Sequence, residues 1–134
     1  MNSLKNSALE LLAKAGTLLL LGSSAAAIVK LAKRYQRFEV VGDSMEPTLS
    51  AGDRLLIRRG AVPAEGSLIV FPDPRDQDHL LIKRAQRVSA GEVVAVGDNP
   101  IASTDSRHFG LVAVSDLIGV ALLKYSPSAS VRRL

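Results

Sequence analysis

Val40-Val41-Gly42-Asp43-Ser44-Met45-Glu46-Pro47-Thr48-Leu49-Ser50-Ala51-Gly52-Asp53 is the stretch that organises the chain. It holds a serine between two Gly-Asp pairs and is pinned by a proline. Pro47 lacks an N–H, has a fixed φ, and steers Glu46 out of the helical region. Gly42 and Gly52 permit a left-handed backbone or a close approach. Phe38 to Val41 reads as a strand entering this turn, and Arg54-Leu55-Leu56-Ile57-Arg58-Arg59 as a strand leaving it. The segment is thus a rigid, irregular turn at the edge of a β-rich core, with Gly42, Asp43, Met45 and Pro47 shaping the backbone around Ser44. Such a turn can present a hydroxyl nucleophile. A loop serine between two strands has the same local sequence.

Outward from the turn, the β pattern continues. Gly60 to Gly66, containing Pro63, reads as a turn, Ser67 to Phe71 as a strand, and Pro72 to His79 as a polar loop. Leu80 to Val88 and Glu92 to Val96 form a hairpin around Ser89-Ala90-Gly91. Asp116 to Tyr125 is a last apolar strand, and Ser126 to Leu134 a basic, loose tail. Short strands with Gly/Pro turns between them predict a mainly β fold, a small barrel or sandwich. Aromatic residues are 4% of the chain and Trp is absent, so the core is built from Val, Leu, Ile and Ala.

Before the β region, Leu9 to Leu31 looks like a membrane helix of marginal length. Ala15 to Val29 carries no charge and is bracketed by Lys14 and Lys30. The uncharged run is shorter than the roughly 20 residues of a usual span, but the lysines can snorkel and flanking leucines extend it. A cleaved signal peptide and a soluble amphipathic helix fit the same residues; a single N-terminal membrane anchor is the expectation. The domains expected are 1–36 for the anchor helix and its basic flank, 37–125 for a catalytic β domain, and 126–134 for the tail. Lys30, Lys33, Arg34 and Arg37 follow the apolar run and only Lys5 and Lys14 precede it. The positive-inside bias would leave the β domain in the cytoplasm.

Composition excludes several chemistries. There is no Cys, hence no disulfide, thiolate metal site or cysteine nucleophile. His79 and His108 are the two histidines, so no metal site is expected. The net charge of +4 is thinly spread and not interleaved with aromatics, so no nucleic-acid partner is expected.

Two later segments bear on Ser44. In Leu80-Leu81-Ile82-Lys83-Arg84-Ala85-Gln86-Arg87-Val88, alternation places Leu80, Ile82, Arg84 and Val88 on one face and Leu81, Lys83 and Ala85 on the other. A lysine between small and apolar neighbours can be desolvated, which lowers its ordinary pKa of about 10.4 and frees the amine to act as a base. A solvated strand lysine would read the same way. Gly97-Asp98-Asn99-Pro100-Ile101-Ala102-Ser103-Thr104-Asp105-Ser106-Arg107-His108-Phe109-Gly110 is dense in hydrogen-bonding groups. Asp105 and Arg107 can pair as a bidentate fork, and Ser103 can exchange a hydrogen bond with a neutral lysine. Nothing in the spacing of His108 supports a Ser-His-Asp triad.

Taken in order, Ser44-Met45-Glu46-Pro47-Thr48-Leu49, Gly52-Asp53, Lys83-Arg84, Gly97-Asp98-Asn99 and Ser103-Thr104-Asp105-Ser106-Arg107 with Gly110 closely resemble the signal peptidase I family of Ser/Lys membrane proteases, over Val40 to Tyr125. The resemblance implies a signal-peptidase-like β fold, Ser44 as nucleophile and Lys83 as general base, with no cofactor. It implies that Ser103 orients Lys83, that Asp98, Asn99, Asp105 and Arg107 brace the site, and that the Ser44 N–H is half of an oxyanion hole. Many bacterial leader peptidases carry a serine where this chain has Gly42, a departure that looks more like the mitochondrial inner membrane peptidase branch. The short connection from Lys83 to Gly97 leaves no room for a large second β domain. Asp78 to Ala85 followed closely by Val96 to Asn99 looks similar to the small nickel-type superoxide dismutase maturation proteases. The implied partners are a precursor protein with an N-terminal leader and the membrane. A general signal peptidase I-like enzyme that cleaves signal peptides of exported proteins is the alternative the resemblance implies, and the wider family implies an extracytoplasmic catalytic domain, against the charge bias. A self-cleaving SOS-repressor type shares the first boxes, but no DNA-binding helical domain accompanies them here. An anchored β domain without activity is the non-enzymatic alternative.

Overall fold

Period-two alternation becomes β-structure from Tyr35 onward. The structure, a computed structural model, describes residues 2–126 and 129–134. In chain order it holds α1 (Asn2–Arg34), β1 (Tyr35–Glu39), β2 (Arg54–Arg59), β3 (Leu68–Asp73), β4 (Asp76–Ser89), β5 (Glu92–Val96), α2 (Ser106–Phe109), β6 (Val112–Ala113), β7 (Gly119–Ser126) and β8 (Ala129–Arg133). It divides into two compact units, Met1–Lys33 and Arg34–Leu134.

In the first unit, α1 is a single continuous helix. Leu12–Arg34 contains an 18-residue window with a mean hydropathy of 1.6 and is, among the described residues, the one stretch long and apolar enough to cross a membrane. Leu12, Leu18, Leu19, Ile28 and Leu31 are exposed, a surface suited to lipid. Thr17 returns its hydroxyl to the Ala13 carbonyl at 2.9 Å, which satisfies that polar group inside the helix.

The second unit is one antiparallel sheet. Seven strands run in the order β1-β2-β7-β3-β4-β5-β6, and β8 pairs with β7. The mainly β expectation holds. β3 is covered on both faces, which is why it reads as a nearly continuous apolar run. Leu68 and Val70 pack in one cluster with Met45, Leu49, Leu55, Ile57 and Ile82. Ile69 and Phe71 pack in another with Ala85, Val93, Ala95 and Val120.

The structure departs from the sequence expectations at five places. The strand that enters the serine turn is Tyr35–Glu39 and not Phe38 to Val41, because Val40 already closes the base of the turn through its bonds with Gly52 and Asp53. The polar loop Pro72 to His79 is mostly strand: β3 runs to Asp73 and β4 starts at Asp76. Asp73 accepts from the Arg75 N–H at 2.9 Å, an Asx-type turn that needs no longer loop. Val88 does not share a face with Ile82. A register shift between Ala85 and Arg87 is a bulge, and a bulge reverses the alternation beyond it; Val88 therefore packs with Ala85. The tail is not loose, since Ala129–Arg133 forms β8 and Leu134 N donates to Leu122 O at 3.1 Å; residues 127–128 of that tail lie outside the described residues. β3 pairs with β7 only at Ile69↔Val120 and Val70↔Gly119, so the rest of that β7 edge is open, and β8 covers it at Leu123, Lys124 and Ser126. The last apolar strand begins at Gly119, after a 3-10 turn over Val114–Asp116.

Candidate active site

The serine turn is closed at its base and pinned underneath. Val40 N donates to Asp53 O at 2.9 Å and Gly52 N to Val40 O at 2.8 Å. Met45 and Leu49 are both 0% exposed and anchor the turn in the first apolar cluster. Asp53 accepts from Ser50 N at 2.8 Å and from Lys124 Nζ at 2.5 Å. Gly42 has φ +79°, a conformation that a side chain would disfavour. The Glu46-Pro47 peptide is cis. Ser44 is left half-buried at the top. Among the described residues its main-chain N–H has no hydrogen-bond acceptor.

A second set of bonds fixes the turn to the rest of the sheet. Asn99 N donates to Ser44 O at 3.0 Å, and Asn99 Nδ2 to Asp43 O at 3.2 Å. Asp98 accepts from Thr48 Oγ1 at 2.6 Å and from Arg84 Nε and Nη2 at 2.8 and 2.5 Å. Burial pushes the Asp98 carboxyl up, but the bonds from Arg84 and Thr48 outweigh it and hold the pKa below the usual carboxylate value. Asp98 is therefore a charged tie between the serine turn, β4 and the loop after β5.

Lys83 is 2% exposed. It sits on β4 opposite Ile69 and shares its face with Leu81 and Ala85, as alternation requires. Its Nζ lies 2.7 Å from Ser44 Oγ. Burial is the main cause that lowers its pKa; Asp105 and Asp73 push it back up, while Arg107 and Arg75 push it down. An amine desolvated in this way and in contact with a hydroxyl can accept its proton.

Asp105 is 0% exposed. Arg107 forks onto it, Nε at 2.8 Å to Oδ1 and Nη2 at 2.6 Å to Oδ2. Gly97 N and Ser103 Oγ donate to Oδ2 at 2.8 and 2.7 Å. Burial raises its pKa, and the bonds from Arg107, Gly97 and Ser103 more than reverse this, leaving it well below the usual carboxylate range. Asp105 also caps α2 by accepting from Arg107 N.

The sequence compares with known proteins as this geometry would suggest. The family model described as signal peptidase, peptidase S26, matches residues 12–86 and 84–126. The mitochondrial ATP-independent inner membrane protease subunit 1a of Arabidopsis thaliana is 34% identical over 116 residues, covering 66% of this chain and 68% of the relative. The chain belongs to the signal peptidase family, peptidase S26.

Two bacterial relatives agree. The probable signal peptidase I-1 of Synechocystis sp. is 27% identical over 138 aligned positions, covering 67% of this chain and 70% of the relative. A signal peptidase I of Bacillus caldolyticus is 42% identical over 41 residues, 31% of this chain and 22% of the relative. The chain is a serine protease on this membership.

The S26 residues expected from sequence mostly converge. Ser44 and Lys83 touch, Asp98 and Asn99 hold the turn, and Asp105 pairs with Arg107. Ser103 is buried, but its hydroxyl donates to Asp105, and among the described residues no hydrogen bond joins it to Lys83. His108 is an exposed capping residue whose ring accepts from Asp105 N at 3.3 Å. Thr48 and Arg84 have no role that the sequence shows, because their common partner Asp98 is remote in sequence from Thr48. The sequence marks Asp73 and Arg75 only as loop residues. Their Asp-x-Arg spacing, the same as in Asp105-Ser106-Arg107, was the available signal.

Gly97 has a packing reason to lack a side chain. A Cβ there would stand 2.6 Å from Ser44 O and collide with the Ser103 side chain. Gly97→Ala should push Ser44 away from Lys83 and lower kcat about 100-fold, the usual cost of a misplacement near 1 Å. Steady-state kinetics of the folded variant check this; an unchanged kcat would mean that the turn tolerates the shift.

Proposed function

We propose that this chain is a Ser44/Lys83 endopeptidase that removes an N-terminal leader from a precursor protein at a membrane. The observation that carries the reading is the 2.7 Å contact between a buried lysine amine and Ser44 Oγ. Neutral Lys83 takes the Ser44 proton, Ser44 Oγ attacks the scissile carbonyl, and protonated Lys83 returns the proton to the leaving amine. Water then hydrolyses the acyl-enzyme, with Lys83 again as base. The free Ser44 N–H is one oxyanion donor. Asp98 and Asn99 hold the serine turn, and Asp105, with Arg107, anchors Ser103 beside Gly97.

For the substrate, we favour one dedicated precursor, a nickel-type superoxide dismutase with an N-terminal leader. The supporting features are the close spacing of Lys83 and Gly97, with only the β4–β5 hairpin between them, and the basic residues that follow the apolar helix. Those residues favour a cytoplasmic domain. A C-terminal reporter active only outside the cytoplasm should stay dark, and a bright one would reverse that orientation. The names of the bacterial relatives favour a second reading, a general signal peptidase acting on many exported proteins. Protein N-termini compared between host cells carrying the wild-type chain and Ser44→Ala separate the two. A single uncut precursor supports the dedicated enzyme. Loss of many mature N-termini supports the general one, and no change at all would reject leader removal by this chain.

A further inference from the structure

Two Asp-x-Arg clips flank Lys83. Asp105-Ser106-Arg107 belongs to the site above. Asp73-Pro74-Arg75 forms the tight turn between β3 and β4, the hairpin that carries Lys83. Asp73 is 6% exposed. It accepts from Arg75 Nε at 2.9 Å on Oδ1 and from Nη2 at 2.6 Å on Oδ2. The Arg75 guanidinium then stands 5.9 Å from the Phe109 ring centroid. Phe109 meets Phe71 of β3 edge-on, with centroids 6.2 Å apart and planes at 69°. Phe109 is the last residue of α2, and Asp105 caps the first turn of the same helix. The tip of the lysine hairpin is therefore tied to the helix that the other clip opens.

We propose that Asp73 and Arg75 are positioning residues for Lys83: the pair latches the β3–β4 hairpin, which carries Lys83, onto Phe109 and keeps the buried carboxylate at the hairpin tip charge-balanced. This rests on the reading of Lys83 as the general base. Without its arginine, the buried Asp73 carboxylate would favour the protonated form of that amine, which is useless as a base. Arg75 cancels Asp73, as Arg107 cancels Asp105. The charged groups that act on Lys83 are Asp73 and Arg75 from the β3–β4 turn and Asp105 and Arg107 from the start of α2, and burial adds to the two arginines. His79 acts in turn on Asp73, and His108 Nδ1 stands 3.8 Å from Asp105.

The two halves of the pair make opposite predictions, which a purely structural role does not. Arg75→Gln leaves Asp73 uncompensated and wets the hairpin tip, so Lys83 titrates at higher pH. Asp73→Asn leaves Arg75 uncompensated, so Lys83 titrates at lower pH. The double variant returns towards wild type, and Arg75→Lys, which keeps the charge, moves less than Arg75→Gln. The measurement is the titration of the Lys83 ε-carbon by NMR in the full chain labelled with 13C-lysine, assigned with Lys83→Met, beside the pH profile of kcat/KM on one leader peptide.

Opposite shifts uphold the proposal. Shifts in one direction only, or no shift in either variant, overturn it. Should Asp73→Asn fail to fold, Arg75→Gln against Arg75→Lys decides by the same signs. If the wild-type acid limb of kcat/KM does not coincide with the Lys83 titration, Lys83 is not the base, and the functional reading falls with the role given to the pair. If it does coincide but the variants leave the titration in place, the base reading stands and the latch alone is rejected.

Discussion

Lys83→Met should lower peptide-bond cleavage by on the order of a million-fold, as loss of the nucleophile or its base does in a nucleophile–base unit, and it should raise thermal stability at neutral pH. The two effects have one cause. Burial holds the Lys83 pKa below that of the unfolded chain, so the native state binds fewer protons than the unfolded state below the ordinary lysine value. Stability then rises with pH up to the unfolded pKa, and at neutral pH each unit of depression costs about 1.4 kcal/mol. Methionine fills a similar volume without that cost. Lys83→Arg should also be inactive, because a guanidinium stays protonated. In the wild type, kcat/KM should fall as the pH is lowered through the depressed lysine pKa. Cleavage assays beside thermal melts check all of this. Appreciable turnover in either variant would remove Lys83 from the mechanism, and a lower melting temperature for Lys83→Met would mean that its amine is not held neutral at a cost.

Asp105→Ala should have the largest effect on stability. The carboxylate is fully buried and takes bonds from Arg107, Ser103 and Gly97. Removing it leaves buried donors without an acceptor, a loss of about 3–5 kcal/mol. In a domain of roughly 100 residues that lowers the melting temperature by well over 10 °C. Asp105→Asn keeps an acceptor but not the charge, and should fall between the two. The Asp105 pKa is lower folded than unfolded, so the carboxylate contributes its full stability above the unfolded value of about 3.9 and loses it as the pH falls towards the folded value. The melting temperatures of wild type and Asp105→Asn should therefore converge on acidification. A constant gap would show that the charge is not what Asp105 contributes.

Much of this chain was legible because it is local. β2 matches its expected bounds, Arg54–Arg59. The β4–β5 hairpin also forms where Ala90-Gly91 predicts it, with positive φ at both residues, the backbone that a two-residue turn between twisted strands needs. The Asp105–Arg107 fork spans two residues and is readable from spacing alone. The misses have equally physical sources. The bulge at Ala85/Arg87 leaves no mark in hydrophobicity yet reverses Val88. β8 forms only because β3 departs from β7 and leaves part of its edge open. The Ser103 hydroxyl is drawn to a charged acceptor two residues away, since hydrogen bonds to charged groups are the stronger ones.

The sequence by itself determined the mainly β class, the turn that presents Ser44, the apolar N-terminal helix and the ordered boxes of the S26 family. These are short-range patterns of φ preference, alternation and hydropathy, and a window of a few residues contains them. The tertiary structure alone decided that Lys83, 39 residues from Ser44, meets it at hydrogen-bond distance with its amine out of water. It alone decided that Asp98 ties Thr48 to Arg84, and that Arg75, held by Asp73, reaches Phe109. Burial and charge at Lys83 are sums over neighbours from several strands and a helix cap, and those sums exist only once the sheet has closed around them.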